Sequence, residues 1–205
     1  VYNGENYIAE SLEALIAQRF EGFEIIISDN GSTDATSEIC ARYSAQNPRI
    51  YYYRNDDNRG AAWNFNYVFE LAIGQYFMWA AHDDLWHPDY IKECVKVLDT
   101  NPNIILCYTA TQEIDEHSQK SNKKFSINPN LSLPKANQRF AASWRYPPQI
   151  IVFGLIRREI LKKTGLIGDY SASDQVLATE LALAGQMHGI REFLFFYRRH
   201  QQQST

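Results

Sequence analysis

The chain has 205 residues, 45% of them apolar and 21% charged, with 24 acidic against 20 basic side chains and a formal net charge of −4. That length allows one large core or at most two small domains, and the scattered Lys and Arg exclude a nucleic-acid-binding face. Cys40, Cys94 and Cys107 stand isolated among apolar residues, which predicts buried free thiols in a reducing compartment and excludes a disulfide scaffold or a zinc site. No stretch reads as a signal peptide or a membrane span.

Val1-Tyr2-Asn3-Gly4 reads as the end of a strand and its turn, which places an opening strand upstream of residue 1. Asn6 can cap a helix from Tyr7 to about Gln18, with Ile8, Leu12, Leu15 and Ile16 on one face. Residues 24–28 form a β-branched strand that runs into Asp29-Asn30-Gly31-Ser32-Thr33-Asp34, where Ser32 or Thr33 can cap the next helix. Ile50 to Tyr53 is another strand, followed by a polar turn over 55–60 and an aromatic-rich helix over 61–73 that Gly74 stops. In that helix Trp63 and Tyr67 share a stripe and read as core. Tyr76 to Ala81 reads as a buried strand ending abruptly in Asp83 and Asp84, and Pro88 opens a helix over 89–99. Strand 104–111 completes an alternation of strands and helices, the pattern of βαβ units in a mostly parallel sheet.

Residues 112–138 are mostly polar and keep no sustained period, as in a long lid, binding loop or idle solvated excursion. Apolar order returns with Ile150 to Ile156 and a short helix over 158–163. Ser173 then caps a helix in which Val176, Leu177, Leu181 and Ala184 face the core, and Gly185 ends it. Residues 192–197 form a last strand, ending in Arg198-Arg199-His200, a charge run that either binds phosphate or is solvated. Trp144, Tyr146 and prolines 147 and 148 form either a sugar-stacking wall or plain packing.

Three strand ends carry polar clusters: Asp29-Asn30, Asp56 to Asn58, and Asp83-Asp84. In a parallel sheet such ends share one edge, where ligands bind. That edge can hold a divalent cation through one or two carboxylates, with phosphate oxygens completing the shell; Mg2+ or Mn2+ suits it, and a nitrogen from His200 favours Mn2+. The glycine-rich dinucleotide and P-loop fingerprints and the Gly-x-Ser-x-Gly elbow are absent from the sequence, so phosphate recognition falls to the metal and acyl transfer lacks a nucleophile.

In these residues the chain resembles the inverting family 2 glycosyltransferases of GT-A fold, of the bacterial cell-surface polysaccharide type. Tyr2-Asn3 matches the end of the family's Pro-x-Tyr-Asn opening. Ile27 to Asp34 matches the nucleotide-base turn, with Asp29 on the base-contacting aspartate and Asn30 beside it. Asn58-Arg59-Gly60 through Asn64 matches the helix opening beside the nucleotide. Asp83-Asp84 matches the metal and ribose carboxylates of the Asp-x-Asp region, whose first aspartate is Ala81 here. Ser173-Asp174 matches a Glu-Asp pair whose second member is the catalytic base.

The resemblance covers nearly the whole chain and implies a single α/β domain. Residues 1–111 would bind the nucleotide sugar and residues 112–205 would face the acceptor. It further implies a cytoplasmic, metal-dependent enzyme with possible peripheral association at the inner face of the membrane. The donor would be a UDP- or dTDP-sugar and the acceptor a saccharide or lipid-linked saccharide. Asp174 would take the acceptor proton, and Trp86 and His87 would flank donor sugar or acceptor. The rival classes are a nucleotidyltransferase, which should carry a Gly-rich basic phosphate loop after its first strand, and a non-catalytic sugar-nucleotide or glycan-binding module, which would not need Asp174.

Overall fold

Ile25–Asp29 forms β1 and Ile50–Arg54 forms β2 in a computed structural model that describes residues 1–146 and 148–201. The two strands pair in parallel, with Ile25 opposite Ile50 and Asp29 opposite Arg54. Helix α2 (Thr36–Gln46) crosses over between them, and α1 (Ile8–Ile16) and α3 (Ala61–Leu71) complete this half. Helix α1 buries Ile8, Leu12 and Leu15, the face that its spacing predicts. Neither Ser32 nor Thr33 caps α2, because the segment before α1 intervenes. The Ser32 hydroxyl oxygen accepts from the Asn3 amide at 3.0 Å, and the Thr33 amide donates to Asn3 Oδ1 at 2.9 Å. The amides of Ala35 and Thr36 are satisfied instead by Glu5 and Asp34, at 2.9 and 3.0 Å.

The larger sheet has the order β3 (Tyr76–Phe77), β7 (Leu155–Arg157), β5 (Ile104–Ile114), β8 (Gln186–Arg198), β4 (Leu85–Trp86), with β6 (Lys120–Phe125) also pairing to β5. The α/β class expected from the sequence is present, with α4 (Tyr90–Thr100) and the later helices flanking the sheet. Its pairing is mixed rather than mostly parallel: β5 and β8 run parallel, and the other pairs of this sheet are antiparallel. Connection length decides this. The tight turn over 115–119 can join only antiparallel strands, whereas β8 returns after a long crossover and can lie parallel to β5.

The polar excursion expected over 112–138 is largely ordered. Its first part is the β5–β6 hairpin, and the rest carries a 3-10 turn (Pro129–Ser132) and α5 (Ala136–Ser143). Strand β6 shows no apolar alternation because it is an exposed edge strand, dressed with lysines that discourage further pairing. The apolar run from Ile150 to Ile156 is divided between helix α6 (Pro148–Val152) and strand β7, and α7 (Arg158–Leu161) follows β7. In α8 (Ser173–Ala184) the buried stripe is Leu177, Ala178, Leu181 and Ala182, while Val176 and Ala184, expected on the core face, are exposed.

The strand read over 76–81 keeps its ladder only to Phe77, though Trp79 remains buried. Segment 76–81 and residues 25–28 of β1 both line the main cleft. Val1 is part of its lining, its ammonium donating to the Ser28 carbonyl at 2.7 Å while the Asn30 amide donates to the Val1 carbonyl at 2.8 Å. All three cysteines are buried and free, as expected, and burial pushes the Cys40 thiol up to about 12.

Candidate active site

The turn after segment 76–81 brings Asp83 and Asp84 to the cleft, 6% and 1% exposed. Close approach here needs a glycine: a Cβ on Gly4 would stand 2.5 Å from the His82 ring, so the segment carrying Tyr2 and Asn3 can lie against the carboxylate turn. Asp83 Oδ2 meets His200 Nε2 at 3.0 Å. Asp84 Oδ1 accepts the Arg198 amide at 2.8 Å, but among the described residues its buried Oδ2 has no hydrogen-bond partner, and neither has His200 Nδ1. Burial above all, and then the neighbouring Asp83 charge, raises the Asp84 pKa well above the ordinary carboxylate value, with Arg198 opposing.

The turn after β1 forms the second wall. Asp29 is fully buried: Oδ1 accepts the Ser32 amide at 2.9 Å and Oδ2 accepts the Tyr52 hydroxyl at 2.9 Å. Its carboxylate therefore braces the turn from beneath, and Ser28 and Asn30 are the residues of this turn that line the cleft. Asn30 Nδ2 donates to Asn58 Oδ1 and to the Gly60 carbonyl, at 2.8 and 3.1 Å, and Asn30 Oδ1 accepts the Arg59 amide at 3.0 Å. Gly31, at φ 75°, lets the two turns touch, since a Cβ would lie 2.8 Å from the Asp57 carbonyl carbon. Asn64 of α3 pairs with Ser28 through both its amide oxygen and nitrogen, at 2.6 and 3.2 Å. Asp56 and Asp57 are exposed, and the Arg59 guanidinium stacks on the Trp63 ring at 4.6 Å. Trp63 stacks in turn on Tyr67, ring centroids 4.7 Å apart; this pair is only half-buried, not core.

Asp174 stands in the first turn of α8 and lines the main cleft, about 1410 Å³, together with Tyr2, Asn3, Asn30, Asp83, Asp84 and His200. It also lines a smaller adjoining cavity of about 460 Å³, whose rim includes Asp169, Tyr170 and Ser171 and whose floor includes Phe65 and Phe153. Ser173 makes no capping bond; the helix begins after Ala172, held in the left-handed region at φ 62°. The loop before it is pinned to α3, because Asn66 both donates to the Ile167 carbonyl and accepts its amide, at 2.8 and 3.1 Å. A non-glycine residue held there stores roughly 1–2 kcal/mol. Thermal melts should find Ala172→Gly at least as stable as the parent and Ala172→Val clearly less so, because a β-branched residue fits this region worst. A valine variant melting at the parental temperature would remove strain from the account.

Several expected site residues lie elsewhere. Trp86 is in strand β4, where the alternation sends it inward against Phe195, 5.8 Å between centroids. His87 turns to Asp89, its Nδ1 accepting that residue's amide at 3.3 Å. Trp144 is 64% exposed, and the Tyr146 hydroxyl donates to the Ser126 carbonyl at 2.7 Å. Pro147 lies outside the described residues. Arg198 is fully buried and so unavailable to phosphate, whereas Arg199 and His200 line the cleft.

Among the described residues, three or more His, Cys, Asp or Glu side chains do not gather into a self-sufficient metal site. A hard cation that keeps water and takes substrate phosphate needs only one or two carboxylates. The unpartnered Asp84 Oδ2 and the adjacent Asp83–His200 pair fit that lesser demand.

The model of the family described as glycosyl transferase family 2 matches residues 1–165. An uncharacterized glycosyltransferase of Rickettsia typhi is 33% identical over 66% of this chain and 41% of its own length. An uncharacterized protein of Mycobacterium tuberculosis is 30% identical over 97% of this chain and 57% of its own length. The chain thus spans about half the length of such curated relatives. Among solved structures, residues 1–349 of S. aureus TarS, crystallised with UDP-GlcNAc, superpose with TM-score 0.78 at 18% identity, over 99% of this chain and 58% of that one. A Pyrobaculum calidifontis mannosyltransferase, in complex with GDP-Man and Mn2+, gives 0.72 at 18% identity, over 98% of this chain and 56% of that one. These likenesses establish the GT-A architecture. Among the described residues no helix is long and apolar enough to cross a membrane.

Proposed function

Because the chain belongs to glycosyl transferase family 2, we propose that its cleft moves a sugar from a nucleoside-diphosphate sugar to a saccharide or lipid-linked acceptor, with inversion at the anomeric carbon. The observation that carries this reading is the position of Asp174, on the lining of both the main cleft and the adjoining cavity. Donor and acceptor can then meet at one carboxylate. The nucleotide lies between Tyr2-Asn3 and the turn of Asp29 and Asn30, with Asp29 fixing the turn's shape and Arg59 at its outer side. Asp83 and Asp84, with His200 paired to Asp83, would hold Mg2+ or Mn2+ against the diphosphate. When bound, that cation neutralises charge on the departing diphosphate. The complexes of the two solved relatives with UDP-GlcNAc and with GDP-Man and Mn2+ support a donor of this class; a uridine or thymidine base is our reading for this chain.

In the transfer itself, an Asp174 carboxylate oxygen accepts the proton of an acceptor hydroxyl as that oxygen bonds to the anomeric carbon. The anomeric C–O bond to the diphosphate breaks with its electron pair leaving on phosphate, and attack from the opposite face inverts the centre. The adjoining cavity, apolar below and polar at its rim, suits a sugar ring.

The test is product release from a panel of UDP-, dTDP- and GDP-sugars, with saccharide acceptors, under Mn2+, Mg2+ and chelator. We expect nucleoside diphosphate from one or two donors, at a rate that chelation lowers, and a glycoside of inverted configuration by NMR. Release of pyrophosphate instead would identify a nucleotidyltransferase. Tight binding of sugar nucleotide without any product, across the panel, would identify a binding module.

A further inference from the structure

Arg198 is the largest fully buried side chain among the described residues. An isolated guanidinium is costly to remove from water, so its partners say what it is for. Its Nε donates to the Asp83 carbonyl at 2.6 Å, and its own amide donates to Asp84 Oδ1 at 2.8 Å. One terminal nitrogen donates to the Asp115 carbonyl and Ser118 Oγ, at 3.1 and 2.9 Å, and the other meets Glu10 Oε2 at 2.6 Å. The guanidinium lies 4.8 Å from the centre of the Tyr7 ring, and that ring stands 4.7 Å from His200. Ser118, at φ 62°, also donates to Glu10 Oε1 at 2.7 Å. Strand β8 thus grips the Asp83–Asp84 turn by its backbone, and the same side chain is anchored to α1 and to the hairpin turn over 115–118.

We propose that Arg198 is a positioning residue of the donor site. From behind the Asp83–Asp84 turn it sets where those carboxylates stand, and Glu10 and Ser118 hold it in that pose. The proposal rests on the donor-site reading above, because it is the metal–diphosphate complex that would feel the displacement. A planar fork is what this task requires: a lysine keeps the charge but cannot satisfy the Asp83 carbonyl, the hairpin turn and Glu10 together. Glu10, outside the cleft lining and 45% exposed at its side chain, offers a way to disturb the anchor without touching the donor.

The experiment is calorimetry of UDP, dTDP and GDP with Mn2+ on the parent, Arg198→Lys, Glu10→Gln and Ser118→Ala, beside a melting curve for each. Removing outer partners of metal-holding groups typically weakens binding by roughly ten- to a hundredfold. We expect Arg198→Lys to fall in that range. Glu10→Gln and Ser118→Ala should fall at its lower end, with melting within a few degrees of the parent and the loss confined to binding in the presence of Mn2+. If Arg198→Lys does not fold, the two anchor variants carry the test alone. A parent that binds the nucleotides while folded variants bind equally well would overturn the positioning role and leave the donor site standing. A parent that binds none of them would overturn the donor-site reading, and this inference with it.

Discussion

Asp174→Asn is expected to leave donor affinity unchanged and to slow transfer to the acceptor by about a hundredfold or more, the scale of losing a positioned proton acceptor. The substitution is mild in structure: the Gln175 amide, now 2.8 Å from Asp174 Oδ1, can keep an oxygen acceptor. What is lost from stability is a negative charge in the first turn of α8, worth about 0.3–1 kcal/mol. A role confined to the helix terminus therefore predicts a slightly lower melting temperature and normal turnover. A catalytic role predicts near-normal melting and a collapsed rate. The side chain before it sharpens the contrast, because Ser173 is a buried hydroxyl and Asp174 is the acidic side chain of that pair. Single-turnover transfer measured beside donor affinity decides the matter; a variant within a few-fold of the parent rate would end the assignment.

Residues 1–111 were legible because their elements obey local rules. The apolar face of α1, the β-branched run of β1 and the polar turns that follow are each written in a dozen neighbouring residues. The larger sheet was less legible because its pairing depends on long-range returns. Nothing local in Lys120–Phe125 announces a strand, since β6 pairs by backbone at an exposed edge. Trp86 looked like a cleft residue by its place beside two aspartates, but two residues of β4 pairing suffice to send it into the core.

The candidate site divides in the same way. Asp83, Asp84 and Asp174 were visible as residue types at element ends, and the fold brings them to one cleft. The internal saturation of Asp29 was not visible, because its partner Tyr52 lies on the neighbouring strand. The bracing of the carboxylates by Arg198 was invisible for the same reason: Glu10 and Arg198 are separated by 188 positions in sequence. At the chain's end an arginine run looks like solvated charge, and only a tertiary cage reveals otherwise.

Asp84→Asn is expected to stabilise the free protein at neutral pH while abolishing most metal-dependent donor binding. Asp84 is buried beside another carboxylate, and its Oδ2 has no hydrogen-bond partner among the described residues. Its folded pKa is raised, chiefly by burial and then by Asp83, so the folded state holds this proton more tightly than the unfolded chain does. Stability from this group is therefore lost as pH climbs from the ordinary carboxylate value of 3.8 towards the raised folded value, and the full penalty is present above it. Asparagine removes the charge yet can still accept the Arg198 amide through its oxygen. Relief of a poorly paired buried polar group is worth roughly 1–3 kcal/mol, and each kcal/mol shifts melting by about 2–4 °C in a chain of this size. The variant should melt higher at pH 7 and lose that advantage in acid, as the parent's Asp84 becomes protonated. Its calorimetric titration with UDP and Mn2+ should lose most of the Mn2+-dependent affinity. Opposite signs in the two measurements are what a carboxylate kept for its ligand requires, since a carboxylate kept for the fold would lower stability when replaced. An Asp84→Asn protein that melts below the parent at pH 7 and binds UDP and Mn2+ normally would reverse the assignment.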